Sequence, residues 1–396
     1  MTLTSAFADF RGGIPADDWN TLAADRLYSS ADWLRFCATD IGGTTTTGGL
    51  HVAVGEEGTA AVPVTAVEHE PNSFYQWESH LEPLGLSGGG AAGLLLGQRR
   101  GYQTHLLASS GLGRDRAAAA LYEQIQKLRS DLAGSELLPS SAGDRPVPAF
   151  GLFLTTEDVL ALRAAGAAGP PLLLAADAWI PIPEGGWTEW LHGLPSKRRT
   201  DMVRRDVKRF EEAGYRITDS TLGESARVAA ELLVGTQARY GHGADPEVLT
   251  ESFRRQAAAM GDAARVAFCG REGEPPVGFC LYYVWGDTTY LRAAGFDYGR
   301  LQDACEYFNT VYYAPIRAAA AAGCRWVHAG IEAADAKALR GAELRPLWLL
   351  DLAGDSPLAA HDATFRAHNA AELAKLTGAS GAVAKALVGE SFAPFC

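Results

Sequence analysis

The sequence contains little lysine, no paired cysteines and no long apolar runs. Only six of its 35 lysine and arginine residues are lysine. Its six cysteines form no C-x-x-C pair and its nine histidines show no H-x-x-x-H spacing, so neither a disulfide framework nor a metal site is predicted. The apolar runs are far shorter than the ~20 residues that span a bilayer. We therefore expect reduced thiols, no metal and no membrane span.

Several familiar catalytic motifs are also missing. The chain has neither a G-x-S-x-G elbow nor a G-x-x-x-x-G-K-[ST] phosphate loop, which argues against serine hydrolases and P-loop nucleotide hydrolases. A net charge of −12 argues against broad, nonspecific nucleic-acid binding, so no DNA partner is expected. The first residues show no basic segment followed by an apolar core, and we expect a cytoplasmic protein.

The positive charge of the chain is concentrated in one segment. Residues 197–216 carry eight basic and four acidic side chains, a local balance of 8 − 4 = +4. Ser196 or Thr200 can begin a helix here, Gly214 can end it, and apolar residues recur at i, i+4 and i+7 between them. This basic helix is either an anion-binding surface or simply a solvated face.

The organisation of the chain predicts two similar units. A length of 396 residues suits two domains. Residues 50–67 read as strand, tight turn and strand, and residues 265–294 read as the same meander with one more strand, each between helical segments. The predicted fold class is therefore α+β, with two units that each hold a mixed, mostly antiparallel sheet flanked by helices. The predicted divisions are 1–150, a structured bridge at 151–175, and 176–396.

One lysine stands out by its position. Lys337 lies beside an Arg340-Gly341 step, just past the predicted strand at 326–329. A lysine in a chain that otherwise uses arginine suggests that a compact ammonium charge is needed there. The alternative is an ordinary solvated lysine on the surface.

An ordered set of short motifs resembles a known family. The set is Trp33-Leu34, Leu194 to Arg199, Arg204-Arg205, Phe210, Gly214, Gly278-Phe279, Gly330, Lys337 to Gly341 and Pro346. Its order is similar to that of the Fem-type (FemAB-like, peptidoglycan-biosynthesis-like) branch of the GNAT acyltransferase superfamily. The resemblance implies tandem GNAT-like domains that transfer an acyl group to an amine without a metal, a cofactor or a covalent intermediate.

The resemblance also implies a donor and the residues that hold it. In Fem-type enzymes the donor is an aminoacyl-tRNA, and a lysine after the last core strand helps to hold it; Lys337 matches that lysine. Here Ala-Leu-Arg-Gly follows the lysine, where Phe-Gly is common in the family. We expect Lys337, Arg340, Lys197, Arg198 and Arg205 to bind the anionic donor, and a small-molecule amine to be the acceptor.

Two alternatives to this interpretation remain open. An acyl-CoA-dependent GNAT N-acyltransferase would need a pyrophosphate loop of the form [Q/R]-x-x-G-x-[G/A]. The closest match, Gln98 to Gln103, fails at its last position and lies in the first half of the chain. A non-catalytic tandem-GNAT binding protein would instead have a shallow cleft, with Lys337 pointing into bulk solvent.

The remaining candidate site residues are carboxylates and tyrosines. Asp297, Glu332 and Asp335 are predicted at strand ends or in loops, where one of them can act as the catalytic base, although each can equally be a solvent-exposed carboxylate. Tyr282 and Tyr283 point to opposite faces of one strand, so we expect one of them to line an acceptor-binding cleft. His328 is interpreted as an ordinary histidine within its strand.

Overall fold

A computed structural model of the protein describes residues 5–9, 16–38, 43–141 and 146–396. The strands are β1 Ser5–Asp9, β2 Thr44–Ala53, β3 Thr59–His69, β4 Gly93–Leu96, β5 Leu107–Ala108, β6 Ala149–Leu154, β7 Leu172–Pro181, β8 Tyr215–Thr221, β9 Ala264–Arg271, β10 Gly278–Trp285, β11 Thr288–Phe296, β12 Trp326–Gly330 and β13 Glu343–Asp351. The helices are α1 Ala16–Ala23, α2 Ala31–Ala38, α3 Trp77–Leu81, α4 Arg114–Asp131, α5 Thr156–Ala165, α6 Gly186–His192, α7 Lys197–Glu212, α8 Leu222–Arg239, α9 Pro246–Met260, α10 Glu306–Phe308, α11 Ala314–Ala321, α12 Ala334–Ala338, α13 Asp362–Ala379, α14 Gly381–Ala386 and α15 Gly389–Phe392. A π-helix, Asn309–Tyr313, joins α10 to α11.

The chain divides into two compact units. Unit 1 comprises residues 1–176 and 345–396, and unit 2 comprises residues 177–344. The predicted division placed 345–396 in the second domain and treated 151–175 as a bridge, whereas both segments pack within unit 1.

Strand pairing and buried hydrogen bonds explain why the C-terminal segment belongs to unit 1. Strand β13 pairs antiparallel with β6. The indole of Trp348 donates to the Thr156 hydroxyl at 2.9 Å. Buried Asn369 accepts from the Leu173 backbone amide at 2.8 Å and donates to the Pro171 carbonyl at 2.9 Å. The segment thus supplies unit 1 with a strand and with partners for backbone groups that would otherwise be buried without hydrogen bonds.

The sheet of unit 1 is mixed. Its strand order is β1-β2-β3-β4-β6-β13, with β5 pairing separately with β3. The β1–β2, β2–β3 and β3–β4 pairs are antiparallel, while β4 and β6 are parallel. The buried tryptophans Trp19, Trp33 and Trp77 are among the largest side chains in its core.

The sheet of unit 2 opens between two of its strands. The order is β7-β12-β11-β10-β9-β8, in which β8 to β11 form an antiparallel meander and β12 runs parallel to β11. The β11–β12 pairing ends at Tyr290 and His328, yet β11 continues to Phe296. At about 3.3 Å per residue, the last part of β11 extends well beyond its partner. The chain segments that follow β11 and β12 border this opening.

Helix α8 lies unusually close to β11. A Cβ atom on Gly295 would sit 2.6 Å from the backbone of Leu232 and Leu233, and one on Gly235 would sit 2.9 Å from the Phe296 carbonyl oxygen. Only glycine permits so close a backbone approach. The approach fixes α8 against the end of β11 that borders the opening.

The predicted α+β class is confirmed, since each unit holds a mixed sheet flanked by helices. Both predicted meanders form, and Ser196 caps α7 as expected. Three of the cysteines, Cys269, Cys280 and Cys324, are buried in unit 2.

Two features are absent from the residues that the structure describes. No helix there combines the length and the apolar character that crossing a membrane requires. In the same part of the chain, no three His, Cys, Asp or Glu side chains are grouped so that they could hold a metal ion.

Candidate active site in unit 2

Lys337 is buried at the end of β12. Its side chain lies on α12, the residue is only 4% exposed, and Nζ donates to the Gly330 carbonyl at 2.8 Å. Gly330 has a φ of +75° and Ala333 a φ of +55°, so the chain turns sharply between strand and helix. The alternative of a solvated surface lysine is therefore wrong.

The environment of Lys337 lowers the proton affinity of its amine. Burial lowers the pKa of Lys337 to about 8, although the negative charges of Asp177 and Glu332 oppose that shift. Asp177 is itself fully buried and accepts from the Trp179 indole at 2.8 Å, and its Oδ1 lies 2.8 Å from Nε2 of His328. His328 thus lies within its strand, as interpreted from the sequence, and one ring nitrogen contacts a buried carboxylate.

The basic helix and the lysine segment, two separate features of the sequence, meet in the structure. Ser196 caps α7 by accepting from the Arg199 amide at 3.4 Å. Arg199 in turn donates from Nη1 to the Ala338 carbonyl at 3.0 Å. Because Ala338 directly follows Lys337, this bond fixes the start of the basic helix against the helix that carries the lysine.

Arg340 faces the interior of unit 2 rather than a donor surface. It is 1% exposed, and its guanidinium stacks 4.0 Å from the Phe308 ring. It donates from Nη2 to the Tyr313 hydroxyl at 3.0 Å and lies 3.7 Å from the carboxylate of Asp206. Tyr313 donates to the same carboxylate at 2.7 Å. The predicted contact of Arg340 with the donor is thus corrected: the guanidinium links α7, the π-helix and the segment after α12.

The other three predicted cations lie on the exposed face of α7. Lys197, Arg198 and Arg205 are exposed, and within the described ranges none of them forms an ion pair. By contrast, Arg204 is near Asp201 at 3.7 Å. Unpaired cations on one helix face remain candidates for binding an anionic donor.

The three candidate bases occupy different environments. Glu332 and Asp335 are exposed in the segment after β12, close to Lys337 in the chain. Asp297 is half-buried directly after β11, where its Oδ1 accepts from the Gly299 amide at 3.1 Å. Asp297 also lines a groove of about 580 Å³.

The two tyrosines predicted to contact the acceptor are buried. Tyr283 donates to the Gln256 side chain at 2.7 Å, and Tyr282 donates to the Asp219 carboxylate at 3.4 Å. The reason is that β10 lies between β9 and β11 within the sheet. Neither ring lines an open cleft, and this prediction is corrected.

Sequence reasoning missed Glu306. Its carboxylate accepts from the backbone amides of Gln302 and Ala304, each at 2.7 Å, and the residue is 3% exposed. The flanking Asp303 and Cys305 have φ of +54° and +64°, which turns the amides toward one point. Positive φ is uncommon at non-glycine residues, and a cysteine gives no sign of it, so the only signals were Asp303 and an acidic residue at a helix start.

Comparisons with known proteins agree with this architecture. Residues 196–338 match the acetyltransferase (GNAT) domain family. The fold is similar to that of FemX, with 12% identity, a TM-score of 0.58, and coverage of 89% of this chain and 97% of that one. It is also similar to a conserved protein of unknown function from Bacteroides thetaiotaomicron, with 13% identity, a TM-score of 0.53 and coverage of 88% and 100%.

A third solved structure also has a fold similar to that of this chain. It is the C-terminal domain of a putative lysylphosphatidylglycerol synthetase from Agrobacterium fabrum, with 11% identity, a TM-score of 0.50, and coverage of 88% of this chain and 94% of that one. No curated protein matches the sequence significantly. The match over residues 196–338 of unit 2 identifies an acyltransferase of the GNAT type, and the chain shares the fold of FemX.

Proposed function

We propose that the protein transfers an aminoacyl group from an aminoacyl-tRNA to a small-molecule amine. The amine nitrogen attacks the ester carbonyl, the carbon–oxygen bond to the tRNA ribose breaks, and an amide forms. The ribose hydroxyl leaves with a proton, and the attacking ammonium releases its protons to water or to a base. The reaction needs no external oxidant or reductant.

The observation that carries this proposal is the position of Glu306. A CoA-type pyrophosphate loop needs backbone amides that are available at a helix start. At the start of α10, which follows the splayed strand β11, the Gln302 and Ala304 amides are already bound by the Glu306 carboxylate. A second anion there would lack these donors and would be repelled by the buried charge. This arrangement favours a donor held by side-chain cations.

The first half of the chain offers no better CoA loop. In the segment from Gln98 to Gln103, the Gln98 side chain accepts from the Arg100 amide at 2.6 Å. Arg99 is buried and paired with Glu70. The Arg100 amide and the Arg99 guanidinium, which could otherwise contact a pyrophosphate, are therefore bonded within the protein.

The cations that could hold a tRNA donor are in unit 2. Lys197, Arg198 and Arg205 present unpaired charge on α7, and Arg199 ties that helix to the segment of Lys337. Side-chain cations bind phosphates through charge-assisted hydrogen bonds. The shared fold with FemX and with the putative lysylphosphatidylglycerol synthetase supports aminoacyl transfer among the acyltransferase reactions.

Lys337 is our candidate for the contact nearest the chemistry. Its ammonium lies beside the Gly330 carbonyl, at the strand end that borders the opening. A register shift between His328 and Gly330 marks a bulge in β12 at this point. The tetrahedral oxyanion needs hydrogen-bond donors, and we assign that role to Lys337 together with backbone N–H groups of the bulge.

Calorimetric titration with acetyl-CoA tests the donor assignment. We expect no binding to the wild-type protein, because the amides that a pyrophosphate would need already donate hydrogen bonds to the Glu306 carboxylate. The variant Glu306→Ala frees those amides and should gain weak CoA binding if its fold, checked by circular dichroism, is retained. Tight binding of acetyl-CoA to the wild-type protein would contradict the proposal and favour the acyl-CoA-dependent alternative.

A further inference from the structure

A groove beside α8 takes no part in the proposed reaction. It encloses about 580 Å³, a volume typical of small-ligand sites. Its lining includes Val228, Gly235, Arg239, Phe296, Asp297 and Arg300. It therefore lies at the far end of β11, on the part of that strand that no longer pairs with β12. The close approach of α8 to β11 sets its inner wall.

Two of the charged groups in this groove are already used by the protein. Arg300 donates to the Pro275 carbonyl at 3.1 Å and lies 3.7 Å from Glu274. Glu231, which also lines the groove, accepts from Arg227 at 3.0 Å. Neither group needs a ligand to balance its charge.

The other two charged groups have no ionic partner. The Arg239 guanidinium stacks 4.3 Å from the centre of the Tyr298 ring, which fixes its plane and leaves its N–H edge for hydrogen bonding. Asp297 uses Oδ1 for the Gly299 amide. Neither Arg239 nor Asp297 forms an ion pair with any residue that the structure describes. The groove thus presents one positive and one negative group, each available to a ligand.

A cavity that holds one positive and one negative side chain favours a ligand that carries one negative and one positive group. An arginine binds a carboxylate through two parallel hydrogen bonds, and an aspartate binds an ammonium. We propose that this groove binds a small zwitterionic ligand that carries both an ammonium and a carboxylate, as a short peptide or an amino acid does. Asp297 holds the amine and Arg239 holds the carboxylate.

Equilibrium binding of matched dipeptides tests this proposal without any donor. The probes are L-alanyl-L-alanine, its C-terminal amide and its N-acetyl form, titrated calorimetrically into the wild-type protein. We expect the free dipeptide to bind, and each blocked form to bind about tenfold more weakly because one charge-assisted contact is lost. In Arg239→Ala the free and amidated forms should bind equally. In Asp297→Asn the free and acetylated forms should bind equally.

Matched controls separate the groove from general charge effects. Arg254→Ala and Asp262→Asn change exposed residues of the same unit outside the groove and should leave all three affinities unchanged. Equal binding of the three probes, no binding of any, or discrimination that survives in both groove variants would overturn the proposal.

Discussion

Replacing Lys337 with methionine should lower the rate of acyl transfer by at least two orders of magnitude and leave the protein folded. The change removes the ammonium beside the Gly330 carbonyl but keeps a long side chain in the same buried space. Loss of one electrostatic donor in an active site costs about 100- to 1,000-fold in rate. Product formation measured by mass spectrometry, together with thermal unfolding, checks both parts of this expectation.

The stability of Lys337→Met should also depend on pH in a defined way. The pKa of Lys337 is lowered from 10.5 to about 8, so below pH 8 the folded protein bears the full cost of a buried ammonium, about 3 kcal/mol. Between pH 8 and 10.5 the unfolded chain binds more protons, so wild-type stability rises with pH. The variant should therefore be at least as stable as the wild type at pH 7, and its advantage should shrink toward pH 10.5.

A surface lysine provides the control for this experiment. Lys375 is exposed on α13 and paired with Glu372, so Lys375→Met should change neither transfer nor the pH dependence of unfolding. Full activity in Lys337→Met would show that the Lys337 ammonium has no role in acyl transfer. Equal loss of activity in both variants would show that the effect is not specific to the buried lysine.

Replacing Arg340 with methionine should destabilise unit 2 by about 3 kcal/mol, because a buried ion pair loses one partner. The variant loses hydrogen bonds to Tyr313 and to the Ala336 carbonyl. It also removes the positive charge that balances the Asp206 carboxylate. Chemical denaturation measures the change in the free energy of unfolding.

Arg366 offers a matched comparison. It is exposed on α13 and pairs with Asp362 one turn away, so Arg366→Met should cost about 0.5 kcal/mol or less. If Arg340→Met proved as stable as the wild type but bound charged tRNA more weakly, the direct donor role predicted from the sequence would be correct and the interior role wrong.

Local sequence patterns predicted much of unit 2. Capping residues and the helical period gave α7 nearly its observed bounds, because those signals act within one or two turns. The strands β6 and β13 were missed. Nearly every position in them is buried, so neither shows the alternation of apolar and polar residues that marks a strand with one solvent-facing side.

The candidate site was harder to predict than the fold. The sequence marked Lys337 as unusual but could not show that it is buried, since burial depends on how β12, α12 and α7 pack together. It placed Arg340 at the donor because the residue is charged and close to Lys337 in the chain. The rings of Phe308, Tyr312 and Tyr313, which enclose its guanidinium, lie 27 or more residues earlier and come near only on folding.

Aminoacyl transfer itself is the central claim, and one reaction tests it most directly. The wild-type protein is incubated with a charged tRNA pool and a panel of small amines, in parallel with acetyl-CoA and the same amines, and the products are identified by mass spectrometry. We predict amide products that require charged tRNA and disappear when the tRNA is deacylated beforehand. Products that form with acetyl-CoA and not with charged tRNA would contradict the account.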